Sequence, residues 1–137
     1  MKEINVVGAI MIKNNEVFCC QRPLDKTLGG LWEFPGGKIE KNETEEEALY
    51  REIVEELECE IQNLNFFERT SYVYDFGKVN LSTFICEIVT GEPVLTEHLD
   101  AKWLPYHKLD TVDWAPADIP IVKKLMTIDD VRNGYDK

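Results

Sequence analysis

The chain has too little positive charge to act as a duplex nucleic-acid binder. Its 137 residues carry 15 lysines and arginines against 26 aspartates and glutamates, a formal net charge of −11. A protein that covers a phosphate backbone needs a basic face. Long hydrophobic runs are also missing. No stretch approaches the roughly 18 consecutive apolar residues that would mark a membrane-spanning helix. The start, Met1-Lys2-Glu3-Ile4, lacks the apolar core of a secretory signal, so the expected location is the cytoplasm. Cysteine is sparse and unpatterned: Cys19, Cys20, Cys59 and Cys86 form no C-x-x-C pair. Cys19 and Cys20 are adjacent in an expected strand and so face opposite sides. All four read as reduced, buried small hydrophobes. Repeats, linkers and low-complexity stretches are absent, and the length fits one domain over 1–137 with a proper core.

What is abundant is acid, and it is concentrated between Glu40 and Glu60. The run Arg51-Glu52-Ile53-Val54-Glu55-Glu56-Leu57 spaces Glu52, Glu55 and Glu56 at i, i+3, i+4, which is one face of a helix. Like charges so close repel, and a surface helix has no structural reason to gather them. A hard divalent cation supplies one, since Mg2+ takes oxygen ligands and leaves positions open for substrate phosphates. Leu49, Tyr50, Ile53, Val54 and Leu57 form an apolar stripe expected to be buried opposite the acids. Thr44 and Glu47 fit a capping box that starts the helix. Before it, Pro35-Gly36-Gly37 is expected to be a flexible turn where backbone approaches a ligand closely, with Lys38 beside it as a candidate phosphate contact.

Along the rest of the chain, residues 4–12 and 17–21 read as strands joined by a turn at Lys13-Asn14-Asn15-Glu16. Residues 60–70, 72–74, 78–89 and 99–104 also look extended. The main helix is expected over 44–58 and a second over 117–126, with Pro116 near its start and Pro120 in its first turn. Residues 105–109 begin a short helix or loop, and the polar tail after Asp129 is expected to fray. Strands interleaved with two helices indicate a sheet covered by helices, an α/β or α+β class.

The spacing Gly37-x5-Glu43-x7-Arg51-Glu52-Ile53-x-Glu55-Glu56 resembles the signature box of the Nudix hydrolases and matches it at every charged position. The resemblance implies an α/β fold, an α/β/α sandwich around a mixed β-sheet. It implies that Glu52, Glu55 and Glu56 bind Mg2+ or Mn2+ and that the carbonyl of Gly36 adds a ligand. Glu43 and Arg51 are expected to hold each other and brace the loop against the helix. Glu97, after the turn Gly91-Glu92-Pro93, matches a loop glutamate that reaches the metal in MutT-type members. Glu52 is the first choice for general base and Glu97 the second. Arg22 matches a substrate-contacting arginine. One position departs: the family has glycine where this chain has Glu58, at a cost of roughly 1 kcal/mol if the left-handed geometry is kept.

Trp114-Ala115-Pro116-Ala117-Asp118-Ile119-Pro120 resembles the base-reading element of MutT-type enzymes, most closely of members that hydrolyse cytidine triphosphates. The matching position is asparagine in enzymes for oxidised dGTP. An ionised Asp118 only accepts hydrogen bonds, which suits the exocyclic amine of cytosine. Pairing with both O6 and N7–H of 8-oxoguanine requires Asp118 to be protonated, which burial can achieve. The bland alternative is a helix cap. Phe34, Tyr72, Tyr74 and Phe76 are candidates to stack on a base. The implied reaction is hydrolysis of a nucleoside triphosphate to monophosphate and diphosphate in nucleotide-pool cleaning, with CTP, dCTP and modified forms, or 8-oxo-dGTP, as substrate and a tilt toward cytidine. The expected partner is a small-molecule nucleotide, with no nucleic acid or membrane, the chain being a monomer or homodimer. Hydrolysis of ADP-ribose, a dinucleotide or a nucleotide sugar is the second reading, and a non-catalytic nucleotide-binding module the third.

Overall fold

In a computed structural model, which describes residues 1–135, seven strands form one mixed sheet between two helices. The strands are β1 (Glu3–Lys13), β2 (Glu16–Gln21), β3 (Trp32–Glu33), β4 (Gly36–Lys38), β5 (Ile61–Tyr74), β6 (Gly77–Ile88) and β7 (Asp100–Pro105). The helices are α1 (Glu45–Leu57) and α2 (Ile119–Tyr135). The order is β3-β2-β1-β6-β5, with β4 paired to β1 and β7 to β2. The β1–β6 pair is parallel and the others are antiparallel. The turn between β1 and β2 puts both Asn14 and Asn15 at positive φ, the geometry of the two-residue hairpin turns that asparagine tolerates.

The sheet is buried on both faces because its strands alternate. Val7, Ala9, Met11 and Cys20 pack against α1 through Leu49, Ile53 and Leu57. Ile10, Val17 and Cys19 pack against α2 through Ile121, Val122 and Leu125. Cys19 and Cys20 thus enter different cores, as their adjacency predicts. Cys19, Cys20, Cys59 and Cys86 are all buried free thiols, and burial pushes Cys19 and Cys86 up to about 12. Among the described residues, no helix is long and apolar enough to cross a membrane.

Several expectations need correction. Pro35-Gly36-Gly37 is no flexible turn: Gly36 and Gly37 lie in β4, paired to Gly8 and Val7 of β1. Glycine is needed there for closeness. A Cβ on Gly36 would collide with the Val7 carbonyl, and one on Gly37 with the Glu52 carboxylate. Residues 60–70 and 72–74 are one strand, β5, which pairs with β6 in regular register from Glu68 to Tyr74. Helix α2 starts later than residue 117, after a short 3-10 turn at Pro116–Asp118, and continues through Asp129 to Tyr135. The last two residues of the expected polar tail, 136–137, lie outside the described residues.

Candidate active site

Helix α1 starts where its capping box places it. Thr44 Oγ1 accepts from Glu47 N–H at 3.1 Å, and the Glu47 carboxylate accepts from Thr44 N–H at 2.9 Å. Three acids in its first turn complement the helix dipole. It ends at Glu58, which takes φ 52° and ψ 36° and donates its N–H to Val54 O. The left-handed termination is therefore kept without the glycine.

The buried face of α1 is not the expected stripe. Tyr50 and Val54 are 43 % and 50 % exposed, whereas Glu56 is only 6 % exposed. The stripe narrows to Ala48, Leu49, Ile53 and Leu57, and it carries a carboxylate with it. Glu33 of β3, Gly36 of β4 and Thr96 of the loop before β7 lie around Glu56, whereas Tyr50 and Val54 stay about half exposed.

Glu56 lies at the centre of an acidic cluster. It accepts from Gly36 N–H, and burial, followed by the charges of Glu33, Glu52 and Glu97, pushes its carboxyl up to about 9. Its Oε1 is buried with no hydrogen-bond partner. His98, with a side chain 2 % exposed, places Nε2 at 3.1 Å from Glu33 Oε2 and 3.5 Å from Glu56 Oε2. Its Nδ1 is buried and unpartnered. Glu97 is exposed, but its charge reaches both Glu52 and Glu56. Thr96 brings it there. Thr96 Oγ1 donates to Glu56 O at 2.7 Å, and Val94 N–H donates to Leu57 O at 2.8 Å, so the loop satisfies carbonyls that the end of α1 leaves open.

Arg51 organises the opposite side. Its Nε and Nη2 grip the Glu43 carboxylate at 2.7 and 2.9 Å, and Nη2 also donates to Lys38 O at 3.1 Å. The two-point pairing is the strong form of this contact. The hydrogen bond from Arg51, then Glu40 N–H, lowers Glu43 to about 2. Arg51 Nη1 donates to Glu52 at 2.8 Å and to Glu55 at 3.3 Å. Burial raises the Glu52 carboxyl, with Arg51 opposing.

The donor set is all oxygen, as a hard cation requires, and the orphaned Oε1 of Glu56 is an acceptor awaiting a partner. The residues fit a divalent metal in chemistry. In position they are turned elsewhere. Among the described residues, no group of three or more His, Cys, Asp or Glu side chains is arranged to hold a metal ion, because Glu52 and Glu55 bend toward Arg51.

Of the other expected site residues, Arg22 pairs with Glu33 at 3.0 Å and donates to Thr27 O at 2.6 Å. Lys38 projects outward from β4. The Phe34 ring is 4 % exposed and packs on Trp114 at 4.8 Å, so what it offers the site is its backbone. Phe34 N–H donates to Asp118 Oδ1 at 3.2 Å. Asp118 is buried, and burial, then the charge of Glu33, holds its carboxyl well above the usual range.

Glu33 is the residue of this cluster that sequence reading missed, and His98 is one that it weighed only as a bland neighbour of Glu97. Alternation offered a signal for Glu33. Its neighbours Trp32 and Phe34 are apolar and enter the α2 core, so Glu33 must face the α1 side, where it pairs with Cys20. His98 had no periodic signal, since it lies in an irregular loop.

The pattern of the NUDIX domain matches residues 2–125. The chain belongs to the Nudix hydrolase family. It is 36 % identical over 126 residues to the 8-oxo-dGTP diphosphatase of Escherichia coli K12, covering 91 % of this chain and 98 % of that protein. It is 31 % identical over 128 residues to the CTP pyrophosphohydrolase of the same organism, covering 93 % and 95 %. The solution structure of the MutT protein of methicillin-resistant Staphylococcus aureus 252, a Nudix hydrolase, superposes with a TM-score of 0.76 at 50 % identity, covering 92 % of this chain and 97 % of that one. The mixed sheet between helices is the Nudix fold.

Proposed function

We propose that this Nudix hydrolase converts an oxidised purine nucleoside triphosphate of the 8-oxo-dGTP kind, plus water, to the monophosphate and diphosphate, and so cleans the cytoplasmic nucleotide pool. The observation that carries the choice of base is the state of Asp118. A carboxyl held high by burial favours its neutral form. Phe34 N–H marks Oδ1 as the acceptor, which leaves the proton to Oδ2. A neutral acid of that kind donates and accepts as an amide does, so it suits an O6 acceptor beside an N7–H donor. The relative named for 8-oxo-dGTP supports this reading. The relative named for CTP supports a second one, cytidine nucleotides, which an ionised Asp118 would favour.

Glu52, Glu55 and Glu56, with Glu97 and the Gly36 carbonyl, would hold Mg2+ or Mn2+. Such a cation supplies charge neutralisation for the triphosphate and Lewis acidity at phosphorus. Glu52 takes the proton of the attacking water, with Glu97 the alternate. The water oxygen forms a new P–O bond at one phosphorus of the α–β anhydride, the bridging P–O bond at that phosphorus breaks, and monophosphate and diphosphate separate. Arg51 and Glu43 brace the acidic helix against β4, and Arg22 would contact the substrate and Lys38 a phosphate.

The test is diphosphate release with Mg2+ across 8-oxo-dGTP, dGTP, CTP and dCTP, and AMP release from ADP-ribose, for the wild type, Asp118→Asn and Asp118→Ala. The expected result is a preference for 8-oxo-dGTP that Asp118→Asn keeps and Asp118→Ala lowers by about tenfold, the discrimination carried by one well-placed polar group. A ranking unchanged in Asp118→Ala removes Asp118 from base recognition. Turnover of ADP-ribose alone would keep the fold and overturn the substrate.

A further inference from the structure

The 3-10 turn that carries Asp118 spans only Pro116–Asp118, with Ile119 N–H donating to Pro116 O. Strand β5 holds it. Ala117 N–H donates to Tyr74 Oη at 2.9 Å, and Thr70 Oγ1 donates to Ala117 O at 2.8 Å. Asp118 N–H completes the set by donating to Ala115 O at 2.9 Å. Both peptide planes flanking Ala117 are thus fixed, and with them the Cα of Asp118. Thr70 and Tyr74 are four residues apart in a regular stretch of β5, so they share one face. The Tyr74 ring cannot swing freely. Tyr72 lies on one side of it at 4.7 Å, and Phe76 stacks on the other at 5.0 Å with 5° between the planes.

We propose that Thr70 and Tyr74 are positioning residues that set the base preference of the site by fixing the backbone of Ala117 and Asp118. The inference rests on Asp118 touching the base. Tyr74 Oη acts as the acceptor and Thr70 Oγ1 as the donor. Losing either bond leaves a peptide group near the protein interior without its partner and lets the turn drift. A drift of the Asp118 carboxyl weakens discrimination between bases, while the acidic helix packed on the opposite face of the sheet keeps its core contacts.

The experiment compares kcat/KM for 8-oxo-dGTP and dGTP in the wild type, Tyr74→Phe, Thr70→Val, Thr70→Ser, Asp118→Ala and the double variant Tyr74→Phe/Asp118→Ala, with thermal unfolding of each. The expected result is a ratio lowered about fivefold by Tyr74→Phe and by Thr70→Val, the effect of one lost hydrogen bond. The loss falls mainly in KM, Thr70→Ser restores the ratio, and Tyr74→Phe adds nothing once Asp118 is changed. If Tyr74→Phe and Thr70→Val lower both substrates equally, in step with Tm, the two side chains are only structural and the inference falls. If Asp118→Ala shifts the ratio while neither of the others does, the base contact stands and the positioning role fails. If Asp118→Ala itself has no effect, the reading of Asp118 is what failed.

Discussion

The acidic end and the base end of this site are built by opposite rules. The acidic end is mainly local: Gly36, Gly37, Glu43, Arg51, Glu52, Glu55 and Glu56 come from one strand–loop–helix segment, Arg51 ties Glu43, Glu52 and Glu55 together, and Glu33, Glu97 and His98 join from outside it. The base end is assembled at long range, from Phe34, Thr70, Tyr74 and Asp118, and no two of its bonded partners are near in sequence. The difference teaches what each end can change. A local constellation is fixed by the spacing that the phosphate chemistry requires, whereas a long-range one can move when a distant strand residue is altered. The segment 32–38 joins the two. Phe34 N–H serves Asp118 while Gly36 N–H serves Glu56, one on each side of the bend at Pro35.

The largest effect should come from the acidic end. Glu56→Gln removes a central carboxylate and should lower diphosphate release by more than about 100-fold, with every base affected alike, since even supporting residues at metal sites cost about 10- to 100-fold. A selective loss for one base would break the comparison. The same variant tests the electrostatics. The Glu56 carboxyl is raised from 4.5 to about 9 in the fold, so between those values the folded state binds more protons than the unfolded one. Its contribution to stability is present at low pH and is lost as pH rises through about 9. In metal-free buffer, Tm of the wild type should fall over that window more steeply than Tm of Glu56→Gln.

Gly36→Ala is the substitution expected to cross the divide. A Cβ there meets the Val7 carbonyl, which must shift, and overpacking of this kind costs about 1–3 kcal/mol. Tm should fall by roughly 5 °C or more. Because Phe34 lies two residues away, turnover and base preference should fall together. Loss of turnover with an intact base ranking would show the two ends to be independent.

Arg51→Lys should have a smaller effect, about tenfold to 100-fold on turnover. An ammonium cannot reproduce the two-point grip on Glu43 while also reaching Glu52 and the Lys38 carbonyl. KM for all triphosphates should move alike, which a panel of dGTP and CTP kinetics checks.

The same contrast explains what could be read in advance. The capping box, the spacing of Glu52, Glu55 and Glu56, and the opposite facing of Cys19 and Cys20 are period-and-neighbour properties, which a sequence carries directly. The burial of Glu56 and exposure of Val54 were not legible, because periodicity fixes which residues share a face but not how far tertiary cover extends around it. Glycine at Gly36 and Gly37 was legible as a need for space. That the need arose from a paired strand and not a turn depended on β1, about 30 residues away in the chain. Asp118 could be picked out, but not its protonation, since its burial comes from elements that meet it only in the fold.

The smallest effect belongs to Glu58, the one departure from the family's box. Its φ of 52° is a conformation that costs a side-chain-bearing residue about 1–2 kcal/mol. Glycine would remove that cost but bring more freedom to the unfolded chain, worth about 0.4–1 kcal/mol in the other direction. Glu58→Gly should therefore stabilise by roughly 0.5–1 kcal/mol and raise Tm by about 2–5 °C. The N–H of residue 58 still reaches Val54 O, so the end of α1, and the carbonyls to which Thr96 bonds, stay in place. Turnover and base ranking should both be unchanged. A drop in Tm would mean that the Glu58 side chain contributes more than its backbone strain costs, and the acidic end would then extend one residue past the helix that defines it.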